Sequence, residues 1–414
     1  MPSNSLLYFI TQIINFEGFR VTNYHFITDN ELLIELEKKE TVATCPHCHK
    51  NTDKVHQSHR YRVRDIPLSS WDVFLNVNRR QFRCKNCRKV FSEELHFVKK
   101  SRTYSKRLAE KVVREVLETD VVNTAKRNRM TPTEIETLLK ETEEDLLKEK
   151  PTNLKKLGID EITHLKGGKN YVAVLVDLET RKPIELLKKR NKDEIAKYLR
   201  SLGSEILNQI EEVSIDLWIP YKTVVEELIP NAQVVADRFH VMKQINQELD
   251  TRRKKEKRDA EKLKTKKIRE SKIQAIKNSK YPLLKKKENL NETEKEKLEE
   301  IQKVLPELNV IYEKKEKFRD IFESKITSDA AFWKLIEWTE SAYKYFPKSC
   351  QTIKRWINEI VAYFDNRTTQ GAVEGINQKI KLIKRKAYGL NNFENFRRRV
   401  LLNWHFATNL SYSV

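Results

Sequence analysis

Glycine is scarce in this 414-residue chain: it has 8, where average usage of about 7% would supply roughly 29. That scarcity argues against an enzyme built on a glycine-rich phosphate loop, a collagen-like chain or a turn-dense β-sandwich. Cysteine is sparse too. Of 5 residues, four fall in two close pairs, which is not the pattern of a secreted disulfide framework. No apolar run approaches the roughly 18 residues that a membrane span requires. The stretch Leu6 to Ile14 is interrupted by Thr11 and Gln12 and lacks a preceding basic flank, so it does not read as a signal peptide. Internal repeats are absent. These absences lead to the expectation of a soluble, cytoplasmic protein.

Positive charge is what the chain has in excess. Lys and Arg number 81 against 60 Asp and Glu, a net charge of +21. Inside a cell that surplus points to a polyanionic partner, most simply nucleic acid. A lysine-biased host genome explains Lys in place of Arg better than it explains the surplus. With 39% hydrophobic residues the chain is too apolar for general disorder, and its length suits two to four domains of roughly 150 residues. Residues 251–290 carry 17 Lys/Arg and 5 Asp/Glu, and 291–300 then carry 5 Glu. This stretch reads as long solvated helices, separated at Pro282 and Pro306.

Cys45-Pro46-His47-Cys48 and Cys84-Lys85-Asn86-Cys87 are two C-x2-C knuckles. Two residues between thiols let both sulfurs face one ion, so Cys45, Cys48, Cys84 and Cys87 form a candidate tetrahedral zinc site. A site closed by four thiolates leaves no position for water and is structural. The 35 residues between the knuckles suit a β-hairpin, with strands Arg60 to Leu68 and Val73 to Phe82. His47, His49, His56 and His59 could replace a ligand, but two intact pairs make that unnecessary. They are read as solvated or in contact with phosphate, and Cys350 as a small buried residue.

Residues 101–150 have helical spacing. Helices are expected over Ser105 to Leu117, Val121 to Asn128 and Thr133 to Lys140. Thr131-Pro132-Thr133-Glu134 supplies an N-cap and an early proline, and Lys126, Arg127 and Arg129 flank the turn. A helix-turn-helix places such a third helix in the DNA major groove; the plainer reading is a helical spacer.

From 155 to 240 the pattern changes to short apolar runs: Leu157 to Asp160, Tyr171 to Leu178, Pro183 to Leu187, Val213 to Ile215 and Gln233 to Ala236. Gly167-Gly168 and Glu179-Thr180-Arg181 suit hairpin loops, and Asp193 to Leu202 is helical. The expected order is strand, strand, strand, helix, strand, helix, strand: antiparallel strands followed by parallel ones. Asp160 and Asp216 stand at strand ends, and Glu374 falls at or near the start of a helix that continues to Lys386. Carboxylates so placed can converge, and three of them can hold two Mg²⁺ ions about 3.5–4 Å apart for phosphoryl transfer. Taken singly, each is more simply a solvated residue or a helix cap.

In this order the motifs resemble a known family. The cysteine knuckles, the helical segment, Leu157-Gly158-Ile159-Asp160-Glu161, Asp216-Leu217-Trp218-Ile219-Pro220-Tyr221, Ala236-Asp237-Arg238-Phe239-His240-Val241, Asn366-Arg367, Gly371 to Asn377 and Lys381 to Gly389 are similar to the ISL-three family of prokaryotic insertion-sequence transposases. The resemblance covers nearly the whole chain. It implies a multidomain α/β plus α protein: an N-terminal segment (1–40), a zinc ribbon (41–98), a helix-turn-helix (99–150) and an RNase H-like catalytic domain (151–250 and 341–414) interrupted by an α-helical insertion (251–340). It implies Asp160, Asp216 and Glu374 as the catalytic acids and ligands of Mg²⁺ or Mn²⁺. Asp237 is a rival second acid, and Asp216 is preferred because sheets of this type place that acid on the strand after the first long helix.

The implied partners are double-stranded DNA and a second copy of the chain, with no membrane, near the nucleoid. Trp218 and Tyr221 could flank a DNA end or pack in the core. His240 could orient phosphate or water, or pack beside the sheet. Asn366, Arg367 and Asn377 could touch DNA or hold the helix start. Lys379, Lys381, Lys384, Arg385, Lys386, Arg397, Arg398 and Arg399 could grip phosphates. A zinc-dependent transcriptional regulator without catalytic activity is the alternative that the N-terminal 150 residues alone would suit.

Overall fold

The computed structural model describes residues 4–148, 150–165, 170–368, 371–388 and 390–408. The chain forms two compact units, Met1–Asp145 with Lys386–Tyr388, and Leu146–Arg385 with Gly389–Val414. Among the described residues no helix is long and apolar enough to cross a membrane.

The first unit begins with α1 (Asn4–Ile14), followed by β1 (Phe19–Thr28) and β2 (Glu31–Lys38). Asp29 and Asn30 form the two-residue turn between the strands, whose pairing closes at Thr28 and Glu31; such residues tolerate the turn's backbone. Short β3 (Ala43–Thr44) and β4 (Asn51–Thr52) frame the first knuckle. The long hairpin β5 (Val55–Leu68) and β6 (Trp71–Arg83) follows, then β7 (Val90–Ser92). The main sheet runs β1-β2-β6-β5, with β7 on β6. β2 pairs with β6 in parallel. Leu32, Ile34 and Leu36 on β2 and Val73, Leu75 and Val77 on β6 alternate inward and bury together with Ile14, Phe19 and Phe97. Residues 4–38, expected only as an undivided segment, therefore contribute to the same sheet as the hairpin.

Three helices complete this unit: α2 (Lys106–Glu118), α3 (Val121–Asn128) and α4 (Pro132–Leu146). Ser105 caps α2 and Asp120 caps α3. At the start of α4 the Thr131 hydroxyl accepts from Glu134 N, and the Glu134 carboxylate accepts from Thr131 N at 2.7 Å, a reciprocal cap. Buried Asp65 on β5 accepts from Ser105 at 2.6 Å and from Arg107 Nε at 2.8 Å, fastening α2 to the sheet. Arg129, expected only to flank the turn, pairs with Asp72 of β6.

In the second unit the order is β8 (Lys156–Thr163), β9 (Tyr171–Asp177), β10 (Lys182–Leu187), α5 (Lys192–Leu202), α6 (Ser204–Leu207), β11 (Glu212–Ile215), α7 (Ile219–Leu228) and β12 (Gln233–Ala236). The sheet order is β10-β9-β8-β11-β12. β8, β9 and β10 pair antiparallel, while β8, β11 and β12 pair in parallel. That is the order of strands and helices expected from the sequence. The Glu179-Thr180-Arg181 turn forms as expected, its amides and the Thr180 hydroxyl held by Asp177. Gly167-Gly168 and Gly389 lie outside the described residues.

The helices α8 (Arg238–Glu261), α9 (Lys266–Ile276), α10 (Lys280–Leu284), α11 (Glu292–Val304), α12 (Pro306–Glu323), α13 (Ser328–Ala342), α14 (Pro347–Arg355), α15 (Ile357–Asn366), α16 (Gly371–Lys386) and α17 (Phe393–Thr408) follow. Pro306 opens α12; Pro282 sits inside the five-residue α10 rather than between helices. Both sheet faces are covered, which explains the near-continuous apolar run of β9. Val172, Val174 and Val176 pack against Ile376, Ile380, Phe396 and Val400 of α16 and α17. Ala173 and Leu175, on the opposite face, join Leu157, Ile159, Leu199 and Val224. That second cluster continues without a break into Phe318, Trp338 and Phe346, so the long helical stretch and the sheet share one core. Burial of each such side chain stabilises by about 1.5–3 kcal/mol.

Candidate active site and metal centres

The four paired cysteines come together in the first unit. Cys45 Sγ lies 3.6 Å from Cys87 Sγ, and Cys48 Sγ 3.5 Å from Cys84 Sγ. Four sulfurs at about 2.3 Å from one tetrahedral ion would lie roughly 3.8 Å apart, so the set fits zinc. No disulfide joins them. Each knuckle uses the same turn. Cys45 N donates to Lys50 O at 3.0 Å and His49 N to Cys45 O at 2.9 Å; Cys84 N donates to Lys89 O at 2.9 Å and Arg88 N to Cys84 O at 3.0 Å. His49 and Arg88 adopt left-handed backbone, φ 57° and 61°. Within this coupled cluster the Lys50 N–H lowers the Cys48 thiol pKa to about 6. At Cys87 the opposing Lys89 N–H is outweighed by burial and hydrogen bonds to the other thiols, which raise its pKa to about 11; a metal binds the thiolate form of each. His47, His49, His56 and His59 are all exposed and stand outside the sulfur cluster.

The carboxylates gather in the second unit by strand register. Ile159 of β8 pairs with Ile215 of β11, and Ile215 pairs with Ala236 of β12. The next residues along these parallel strands are Asp160, Asp216 and Asp237. Neighbouring strands stand about 4.8 Å apart and in-register side chains share a face, so the three acids form one row. All three are buried. Asp160, Asp216 and His240 can each present a ligand atom with all of these within 4.8 Å of one another.

Asp237 is engaged differently from the other two acids. It caps α8 by accepting from Phe239 N at 3.3 Å and meets His240 Nδ1 at 2.9 Å. His240 Nδ1 also approaches Asp216 Oδ1 to 2.8 Å, yet that oxygen has no hydrogen bond of good geometry. Burial, then the Asp216 charge, push the Asp160 pKa up to about 6. Burial likewise raises Asp216, against the opposing pull of His240. Burial alone would lower His240, but contacts with Asp216 and Asp237 outweigh it and lift its pKa to about 10. An acid-rich row with an unsatisfied buried oxygen fits a hard divalent cation, which oxygen ligands suit.

Glu374 occupies the first turn of α16. It is exposed, and its carboxylate is outside the Asp160–Asp216–His240 group. One turn later, Asn377 Nδ2 donates to Asp160 Oδ2 at 2.6 Å, while Asn377 Oδ1 is buried without a partner. Two features hold α16 against the acid row. An added Cβ on Gly158 would meet Leu178 Cδ2 at 2.8 Å and Val373 Cγ2 at 3.3 Å, so glycine lets helix and strand approach closely. Ahead of α16, buried Glu212 on β11 receives Asn366 Nδ2 and the Thr368 hydroxyl and pairs with Lys156 at 3.4 Å.

The remaining sequence candidates divide. Tyr221 is wholly buried, in the core rather than beside DNA, with its hydroxyl unpartnered. Trp218 is half-buried and meets Tyr221 edge-on at 4.6 Å. Arg367 braces the fold through Phe322 O at 2.8 Å and Ser324 O at 2.7 Å. In the basic stripe, Lys384 donates to Thr163 O at 3.3 Å, Arg397 pairs with buried Glu185 and Arg399 is buried. These three belong to the fold; Lys381 and Arg385 are exposed, and Lys386, also exposed, pairs with Glu118 at 2.9 Å. Two contributors escaped the sequence reading: the Asn377–Asp160 hydrogen bond and the double contact of His240. The Asp-x-x-His spacing at a helix start was the available signal for the second.

Residues 157–400 match a family model of DDE transposases of the ISL-three type, and residues 41–87 match the zinc-finger of transposase IS204/IS1001/IS1096/IS1165. The first match spans more than half of the chain, and the chain belongs to that transposase family. It is 24% identical to the transposase for insertion sequence element IS1001 of Bordetella parapertussis over 92% of this chain and 94% of that protein. It is 30% identical to the transposase for insertion sequence element IS1557 of Mycobacterium tuberculosis over 58% of each. The four close cysteines within the zinc-finger match support a structural zinc ion. These matches do not favour a non-catalytic regulator.

Proposed function

We propose that this transposase binds the terminal inverted repeats of its own insertion sequence, hydrolyses the phosphodiester at each end and joins the 3′-hydroxyl to target DNA. Asp160 and Asp216 are the central acids of an RNase H-like domain, a reading supported by the strand order β10-β9-β8-β11-β12. The observation that carries the proposal is the meeting of Asp160 and Asp216 on adjacent parallel strands, with a buried oxygen left unsatisfied. Glu374 is the third acid: it sits in the first turn of α16, one turn before Asn377, whose amide reaches Asp160. Asp237 acts through His240 instead of as a ligand. A pair of Mg²⁺ or Mn²⁺ ions held there would activate the attacking oxygen and stabilise the leaving one. His240 and Asn377 orient the two carboxylates, and the surrounding core excludes water from their buried sides.

The zinc-binding unit and its three helices, read as a helix-turn-helix, recognise the DNA ends, and the basic 251–290 segment on α8 and α9 follows the phosphate backbone. Two ends must be joined, so a dimer or larger assembly forms on DNA. The test is end cleavage of DNA flanking the gene, with Mg²⁺, by wild type and by Asp160→Ala, Asp216→Ala, Asp237→Ala and Glu374→Ala. Loss of cleavage with retained binding in the first, second and fourth variants supports the triad. A dead Asp237→Ala beside an active Asp216→Ala would reassign the second acid. Binding by wild type without any cleavage would overturn the enzymatic reading.

A further inference from the structure

Arg190, in the loop between β10 and α5, stands beside the acid row in an unusual setting. Its guanidinium lies 4.6 Å from the Tyr171 ring and 4.9 Å from the Trp218 ring. Both rings therefore hold the cation by cation–π attraction. It also pairs with Glu161, the residue following Asp160. Two cavities flank this position. One, of about 720 Å³, is lined by Asp216, Trp218, His240 and Lys243, extends along α8 to Arg252 and includes Lys348 of α14. The other, of about 560 Å³, includes Tyr171, Lys188, Lys189 and Asn191 in its lining. Among the described residues Arg190 alone lines both. A strand passing from one cavity to the other would cross Arg190 within reach of the acids.

We propose that Arg190 binds a phosphodiester of the substrate strand next to the scissile one, and that Glu161 is an internal anion holding its place until DNA arrives. This rests on the transposase reading above. A guanidinium offers a planar fork that matches two oxygens of a carboxylate or a phosphate alike. The two rings flank the guanidinium while Glu161 pairs with one of its arms. On binding, the phosphate takes over the fork and Glu161 is released toward solvent. Glu161 thus sets a threshold: DNA must displace an existing pair, which a misplaced phosphate does poorly.

The test uses the full chain, with folding checked by thermal melting, and duplex DNA taken from either side of the gene. Binding is measured across salt concentrations and cleavage in single turnover with Mg²⁺. Glu161→Gln should tighten binding about three- to tenfold. Arg190→Ala should weaken it about tenfold and lower the slope of log affinity against log salt by about 0.9, one phosphate contact. Arg190→Lys should keep that slope yet cut about ten- to a hundredfold more slowly, because an ammonium neither forks nor stacks. Equal weakening by Glu161→Gln and Arg190→Ala would mark the pair as merely structural and overturn the proposal. If Glu161→Gln does not fold, an Arg190→Lys variant with wild-type cleavage overturns it on its own. A folded wild type that neither binds nor cuts this DNA defeats the underlying transposase reading, and this proposal with it.

Discussion

The chain builds two clusters suited to metal ions, and it builds them by opposite means. The cysteine cluster comes from two copies of one short turn, each closed by hydrogen bonds within six residues. The acid row comes from strands whose members are 56 and 21 residues apart in sequence, Asp160 to Asp216 and Asp216 to Asp237, and it forms only when the sheet pairs in register. The first cluster is uniform in donor type, four thiols, and a site closed by four thiolates leaves no open position. The second has unequal members: two acids facing each other, one caught in a helix cap, a histidine between and an exposed glutamate nearby. Equivalence suits a structural ion, whereas inequality suits chemistry, in which ligands and substrate must exchange.

The largest expected effect tests the closed cluster. Cys84→Ser, or removal of zinc by a chelator, should abolish cooperative melting of the first unit, because structural zinc supplies about 10–16 kcal/mol in small domains. The melting of the second unit should be unchanged. A zinc content near one ion per chain, lost together with that transition, is the corresponding chemical measurement. If both units melt as before, the cysteines do not hold the ribbon together.

Next, Asp160→Asn should reduce end cleavage by at least about a thousandfold while raising metal-free stability by about 1–3 kcal/mol. The sign follows from the raised pKa. The folded state holds the Asp160 proton more tightly than the unfolded chain does, so stability is lost as pH rises from about 4 through about 6. Asparagine removes that loss. Melting curves of wild type and variant at pH 4 and pH 7 should converge at the lower value and separate at the higher one. A variant less stable than wild type at pH 7 would contradict the burial argument.

Asp237→Asn sharpens the contrast within the row. It should slow cleavage only about tenfold, through a misoriented His240, and lower stability by about 1 kcal/mol through a weakened cap. A loss as deep as that of Asp216→Asn would move the ligand role to Asp237. The smallest effect belongs to Asn377→Ala, which removes one hydrogen bond to Asp160. A change in kcat of about three- to tenfold with little change in DNA affinity is expected, and unchanged kinetics would leave Asn377 a packing residue.

The same contrast explains what could be read in the sequence. The cysteine knuckles were legible because spacing alone brings the thiols together. The five strands of the second unit were legible from short apolar runs and turn residues; Asp216 follows its strand as expected, whereas Asp160, expected at a strand end, lies inside β8, which stays paired with β9 as far as Thr163. The choice between Asp216 and Asp237 was not, because both follow parallel strands at equivalent register, and only the capping of α8 separates them. Nor was the first sheet's full extent: β1 is bulged twice and loses its alternation after Thr22, and β6, the parallel partner of β2, lies beyond the first knuckle. The basic stripe misled in part, since Lys384, Arg397 and Arg399 look solvated in sequence and are drawn into the fold by tertiary partners.

The hydrogen bond from Asn377 to Asp160 spans 217 residues. At about 5–20 residues per second, a ribosome needs roughly ten to forty seconds to travel from one partner to the other. Throughout that interval residues 1–145 of the first unit are already synthesised, while the acid row lacks the helix that orients it. A chain halted by a stop codon before α16 would remain in that state permanently. It would keep residues 1–145 with the cysteine cluster, lack both Asn377 and Glu374, and compete with full-length copies for whatever those residues bind.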